Sequence, residues 1–316
     1  MAGSSKKAIY GAIIANTGIA IAKFTASFFT GSASMLSEGI HSLVDTGNGI
    51  LLLYGIKRSK KPATENHPFG FGNEIFFWSF IVAMLIFALG GGIALYEGII
   101  HVQHPTELKN PIWNYSVLIV ALIFEGAALR VALKSFKANN DQGFIQNLRA
   151  SKDSSTVAII IEDMAATVGL AIALICLILS QLTGIAQFDG IGSILIGILL
   201  LSVSWFFAIE CKGLLIGEGL TPNQLEKITE ILDKHPEVEE YRKPLSLYFG
   251  PNEVLVNIDV DFQDALSSEE IEKVVDQVER QIKSSLPQVN RIYIEAEKLI
   301  DSSKRSSSNR SDSSDS

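Results

Sequence analysis

Over its first two thirds the chain alternates long apolar runs with short polar breaks, and then its character changes. Six stretches, 9–30, 34–56, 74–100, 113–134, 156–181 and 188–210, are long enough to cross a hydrocarbon core of roughly 30 Å, which takes about 20 residues of helix. The pattern predicts an α-helical polytopic membrane domain of six transmembrane helices over 8–212. Lysines ahead of the first run imitate a signal peptide, but the run reaches about Thr30 and further spans follow, so it reads as a retained span.

From about Gly213 the period shortens, and 213–298 reads as a small cytoplasmic α+β domain. TPNQLEKITEILDKH and SSEEIEKVVDQVERQIKSSL have the caps and spacing of amphipathic helices. PLSLYFG, EVLVNIDVDF and VNRIYIEAE alternate as strands do, with the turn residues Gly250, Pro251 and Asn252 joining the first two. The resulting αββαβ order predicts a ferredoxin-like open-faced sandwich. The Ser/Asp-rich tail 299–316 has nothing apolar to bury and is expected to be disordered.

Charge orients these elements. Lys6 and Lys7, then Lys57, Arg58, Lys60 and Lys61, then Lys134, Lys137, Arg149 and Lys152 fall on one side of the spans. The opposite loops carry only Lys109, so both termini are expected in the cytoplasm. The net charge of -8 leaves no basic footprint for nucleic acid. Cys176 and Cys211 lie in or beside apolar runs, with no spacing that makes a thiolate site, and read as small buried hydrophobes.

Ionisable residues at membrane depth are costly and mark candidate function. In SEGIHSLVDTGNGILLL, His41 and Asp45 are four residues apart and share a helix face, so an imidazole and a carboxylate can converge on one divalent ion. Zn²⁺ suits that donor set, with Mn²⁺, Fe²⁺ or Co²⁺ as alternatives. In TVAIIIEDMAATVGLAIAL, Glu162 and Asp163 are adjacent carboxylates that point about 100° apart, so at most one aims straight at an ion beside the second span. Glu38 and Glu125 are candidate stops on a proton or ion path, and Asn48 reads better as an interhelical hydrogen-bonding group.

The run TGSASMLSEGIHSLVDTGNGILLL followed by KKPATENHPFGFGNEIFFWSF resembles the second span, cytoplasmic loop and third-span start of the cation diffusion facilitator family. The resemblance covers about residues 8–298 and implies a homodimer in the lipid bilayer that exports Zn²⁺, or a related divalent cation, in exchange for H⁺. It assigns His41, Asp45 and Asp163 to the transport site between the second and fifth spans. Ile159 stands where the family usually has a span-five His or Asp, which makes Glu162 the available substitute. The span-five pattern is similar to that of a divergent branch including the animal mitochondrial zinc transporter. His67 matches a loop position that helps bind a second zinc, but Thr64 and Phe71 replace its usual partners. In the cytoplasmic domain, Asp259, Asp261, Glu295 and Glu297 form two carboxylate rows that read as a solvated acidic face before they read as a metal site.

Export is thus the expected activity, without an enzymatic reaction or a prosthetic group. An intramembrane metalloenzyme is the competing reading, weakened by the absence of HExxH, and an uncoupled channel is a third. A bacterial inner membrane is the expected location.

Overall fold

A computed structural model describes residues 2–105, 112–137 and 154–298. The chain divides between Ile216 and Gly217 into two compact units. The first is built from six long helices, α1 (Ala2–Thr30), α2 (Ala33–Ser59), α3 (Glu74–Gln103), α4 (Ile112–Lys137), α5 (Ser154–Thr183) and α6 (Gln187–Ile216). Among the described residues four helices, α3 to α6, are long and apolar enough to cross a membrane by length and composition. The sequence predicted six such runs. The other two, α1 and α2, have ample length at 29 and 27 residues. Their apolar runs are broken by Lys23 in α1 and by Glu38, His41 and Asp45 in α2. Large apolar side chains face outward, among them Phe28 at 84% exposure, Leu182 at 79% and Trp205 at 65%, as suits a surface wetted by lipid tails.

α2 is the central rod, packed against α1, α3, α5 and α6. Its N-terminus is fixed by capping and by a neighbour. Gly31 takes φ 72°, a left-handed turn closed by its N–H donating to Ser27 O, and the Ser32 hydroxyl accepts from Met35 N. Asp189, in the first turn of α6, then accepts from the Ser32 hydroxyl at 2.6 Å and from the Ala33 N–H at 2.5 Å. A carboxylate there satisfies backbone donors that the helix cannot use itself and complements the positive end of its dipole.

α3 and α6 meet at glycines. A Cβ on Gly98 would lie 2.7 Å from the Ile194 backbone nitrogen, one on Gly190 2.8 Å from Val102 N, and one on Gly197 2.8 Å from Leu95 N. Small residues are the usual means of bringing membrane helices this close, where dispersion contacts take the place of a hydrophobic driving force. α3 also passes through a π-helical stretch, Ile86–Gly92, that ends on three consecutive glycines.

The second unit contains α7 (Pro222–Leu232), β1 (Val238–Tyr241), β2 (Leu245–Gly250), β3 (Glu253–Phe262), α8 (Ser268–Ser285) and β4 (Val289–Ala296). β3 is the middle strand, antiparallel to β1 and β2 along one edge and parallel to β4 along the other. β1 was not predicted. It continues the line of β2 along the same edge of β3, and the two are separated at Pro244, which has no N–H for the ladder. The predicted αββαβ order therefore describes this sheet with its first strand interrupted. Val254, Val256, Ile258 and Val260 of β3 are buried, as are Val274, Val278 and Ile282 of α8, so the two- and four-residue periods supply the core of this unit. α8 opens with a capping box in which Ser267 and Glu270 exchange hydrogen bonds. Arg149, Lys152, Lys109 and the serine-rich tail, used above for orientation and disorder, lie outside the described residues.

Gly98→Val should lower the thermal unfolding midpoint of the purified protein in detergent, at a cost of roughly 1–3 kcal/mol for overpacking. Gly18→Ala, where nothing lies within 4 Å, should leave the midpoint unchanged or slightly raised.

Candidate metal site

Glu38, His41, Asp45 and Asn48 follow one another at steps of three, four and three residues, which lays them along a single stripe of α2. Exposures of 0%, 2%, 7% and 0% show that the stripe is turned into the protein rather than toward lipid. At 1.5 Å per residue it runs about 15 Å, half the thickness of the hydrocarbon layer.

At its centre His41 Nε2 lies 3.5 Å from Asp45 Oδ2, within reach of a shared ion and outside hydrogen-bonding geometry. Both ring nitrogens of His41 and Oδ1 of Asp45 are buried without a hydrogen-bond partner among the described residues. Unpaired polar atoms in an interior cost free energy unless a ligand, ion or water completes them, and Glu38 Oε1 and Asn48 Oδ1 at the two ends of the stripe are left in the same state.

The span-five carboxylates divide as the 100° rule requires. Glu162 turns toward α2, accepting from Asn48 Nδ2 at 2.7 Å, and its charge acts on Asp45. Asp163 points about 100° away from Glu162, and both carboxylates stand within electrostatic reach of Glu125 on α4. Glu125 is itself 4% exposed and acts on Asp45 as well, so α2, α4 and α5 contribute to one acidic cluster. Among the described residues no three His, Cys, Asp or Glu side chains are gathered tightly enough to hold an ion as they stand. Ile159, one turn before Asp163, is partly buried and brings no donor.

At the end of the stripe nearer Gly31, the Lys23 ammonium donates to Glu38 Oε2 at 2.9 Å and to the Ser42 hydroxyl at 2.8 Å, with Lys23 wholly buried. The other oxygen, Oε1 of Glu38, sits over Gly169 of α5, where a Cβ would come within 2.6 Å of it. Sequence reading missed both Lys23 and Asp189. A lysine inside an apolar run was the available signal, and the hairpin supplies its partner: Lys23 stands eight residues before Gly31 and Glu38 seven after, at matching depth.

The remaining candidates fall elsewhere. His67 is exposed, its backbone bridges to Thr64, and its ring stacks on Phe71 at 4.4 Å, so this trio forms a turn. Glu74 accepts from Arg58 at 2.7 Å and from Trp78 Nε1 at 2.9 Å, which ties the end of α2 to the start of α3. In the second unit Asp259 and Glu295 are register partners on β3 and β4. Arg242 lies 3.4 Å from Asp259 and 3.3 Å from Glu297, so a guanidinium already bridges part of the carboxylate rows that include Asp261.

Residues 9–216 match the cation efflux transmembrane domain and residues 220–299 match the cation efflux protein cytoplasmic domain. The chain belongs to the cation efflux family, and it is an integral membrane protein. It is 36% identical over 272 residues to the mitochondrial proton-coupled zinc antiporter SLC30A9 of Xenopus laevis, covering 83% of this chain and 48% of that protein. It is 37% identical over 243 residues to the human protein of that name, covering 76% of this chain and 43% of the other. Metal tolerance protein C4 of Arabidopsis thaliana is 30% identical over 261 residues, covering 82% and 57%. The chain thus spans about half the length of these curated relatives.

If Glu162 is held toward α2 by Asn48, a double-mutant cycle of Asn48→Ala and Glu162→Gln in detergent should return a coupling of about 1 kcal/mol in unfolding free energy. Additive effects would mean the hydrogen bond contributes nothing.

Proposed function

We propose that this chain moves a divalent cation, Zn²⁺ first among them, out of the cytoplasm in exchange for protons, with His41, Asp45 and Asp163 as the site and Glu162 as a fourth ligand. The reading is carried by His41 and Asp45, one turn apart on a buried stripe with coordinating atoms left over. An imidazole with carboxylate oxygens is a borderline-soft donor set that suits zinc. Glu162 leaves Asn48 to reach the ion, and a modest rotation of α5 brings Asp163 in from the side of Glu125. A site assembled by helix movement can also be taken apart, as release on the far side requires.

Proton exchange follows from the same donors. Carboxylates and imidazole bind metal only when deprotonated, so an arriving ion expels protons and returning protons expel the ion. Glu38 and Glu125 lie along the same file and serve as relay groups. The relatives' printed names, a proton-coupled zinc antiporter and a metal tolerance protein, agree with this reading. We place the chain in a membrane that holds a proton gradient, such as a bacterial inner membrane, with both ends of the membrane unit on the cytoplasmic side. Two copies associate through the cytoplasmic unit. There Asp259, Asp261, Glu295 and Glu297 act as an acidic face, a reading supported by the Arg242 bridge.

In proteoliposomes, zinc uptake should rise steeply with an imposed pH gradient and fall to background in His41→Ala, Asp45→Ala and Asp163→Ala, each checked for folding by gel filtration. Glu162→Gln should weaken zinc binding by about tenfold or more. A wild-type rate in any of these variants removes that residue from the site, and indifference to the gradient removes proton exchange.

A further inference from the structure

The Lys23–Glu38 pair is the one wholly buried ion pair among the described residues, and the transport step proposed above gives Lys23 no part. It nevertheless stands beside the site. Glu38 is three residues before His41 and seven before Asp45 on the same stripe, about one turn from the imidazole. The charge of Lys23 reaches His41, Asp45 and Glu125. Its ammonium is anchored at two points, by Glu38 and by the Ser42 hydroxyl, and Gly169 leaves room for the Glu38 carboxylate to sit where it does.

We propose that Lys23 is a positioning residue for the transport site: its ammonium holds the Glu38 carboxylate out of the ion's coordination shell. Five carboxylates, Glu38, Asp45, Glu125, Glu162 and Asp163, crowd this part of the interior. Without the lysine, Glu38 would have one free oxygen already and a second released, a turn away from His41. Added to His41, Asp45, Asp163 and Glu162, Glu38 would bring the ion one more carboxylate and one more negative charge, and the ion would leave more slowly. Lys23 thereby trades affinity for release: it withdraws a ligand and lowers the negative charge around the ion, so that the site binds weakly enough to empty. Ser42 orients the ammonium, and the hairpin register at Gly31 sets its depth. This inference rests on the transport site proposed above.

The test measures zinc affinity by titration calorimetry on the full chain in detergent, and turnover in proteoliposomes. Lys23→Met should tighten zinc binding by about tenfold or more while slowing maximal uptake, from the loss of one unit charge close to the site. Lys23→Met combined with Glu38→Gln should bring the affinity back toward wild type, and Lys23→Arg should keep it. A purely structural role would instead weaken binding in Lys23→Met, with no reversal in the double variant, and that outcome overturns the proposal, as does an unchanged affinity. Should Lys23→Met fail to fold, Glu38→Gln alone decides. It leaves the ammonium without its carboxylate and should weaken binding by about tenfold; unchanged or tighter binding overturns the proposal. His41→Ala in the same assay separates the two ideas. If it still binds zinc as wild type does, the site itself is wrong. If it loses zinc while Lys23→Met leaves affinity unchanged, only the role of Lys23 fails.

Discussion

A charged or strongly polar group in hydrocarbon must find its counter-charge or its ligand inside the protein, and that constraint organises this membrane unit. The polar stripe of α2 is buried, so neighbouring helices complete it group by group. α1 brings Lys23 to Glu38, α5 brings Glu162 to Asn48, and α6 brings Asp189 to the helix N-terminus. Coordinating atoms are left over along the stripe, one oxygen each on Glu38, Asp45 and Asn48, and His41 alone has no hydrogen-bond partner for either of its ring nitrogens.

The same constraint explains why α2 is held so firmly at its start. Ser32, Ala33 and Ser34 are gripped by Asp189, and Ser37 and Ser193 share a hydrogen bond one turn further in. Glycine contacts make α3 and α6 a close pair. α5 meets the stripe through the Asn48–Glu162 hydrogen bond and is held to α3 and α4 by the Ser79–Ser154 and Tyr115–Leu177 hydrogen bonds.

Much of this was legible in the sequence because the signals are local. Helix-length apolar runs announced the rods, and the four-residue spacing of His41 and Asp45 placed them on one face without further information. The choice between Glu162 and Asp163 was not legible, since it depends on how α5 is rotated about its axis, a property of packing with no sequence period of its own. Lys23 escaped notice for a related reason: its partner is fifteen residues away across a turn, and only the register of the hairpin brings them to equal depth. β1 was missed because VEEY is four residues long with two exposed glutamates, and pairing with the end of β3 makes it a strand. The two-residue period alone put the acidic rows of β3 and β4 in view, while the arginine that bridges them lies in a loop with no period to announce it.

If an ion binds at His41 and Asp45 as proposed, through nitrogen and oxygen alone, X-ray absorption at the zinc edge of the loaded, purified protein should show a first shell of nitrogen and oxygen at about 2.0–2.1 Å with the multiple-scattering signature of one imidazole, and His41→Asn should lose that signature. An imidazole signature that survives in His41→Asn, or a sulfur shell near 2.3 Å, would contradict the proposal.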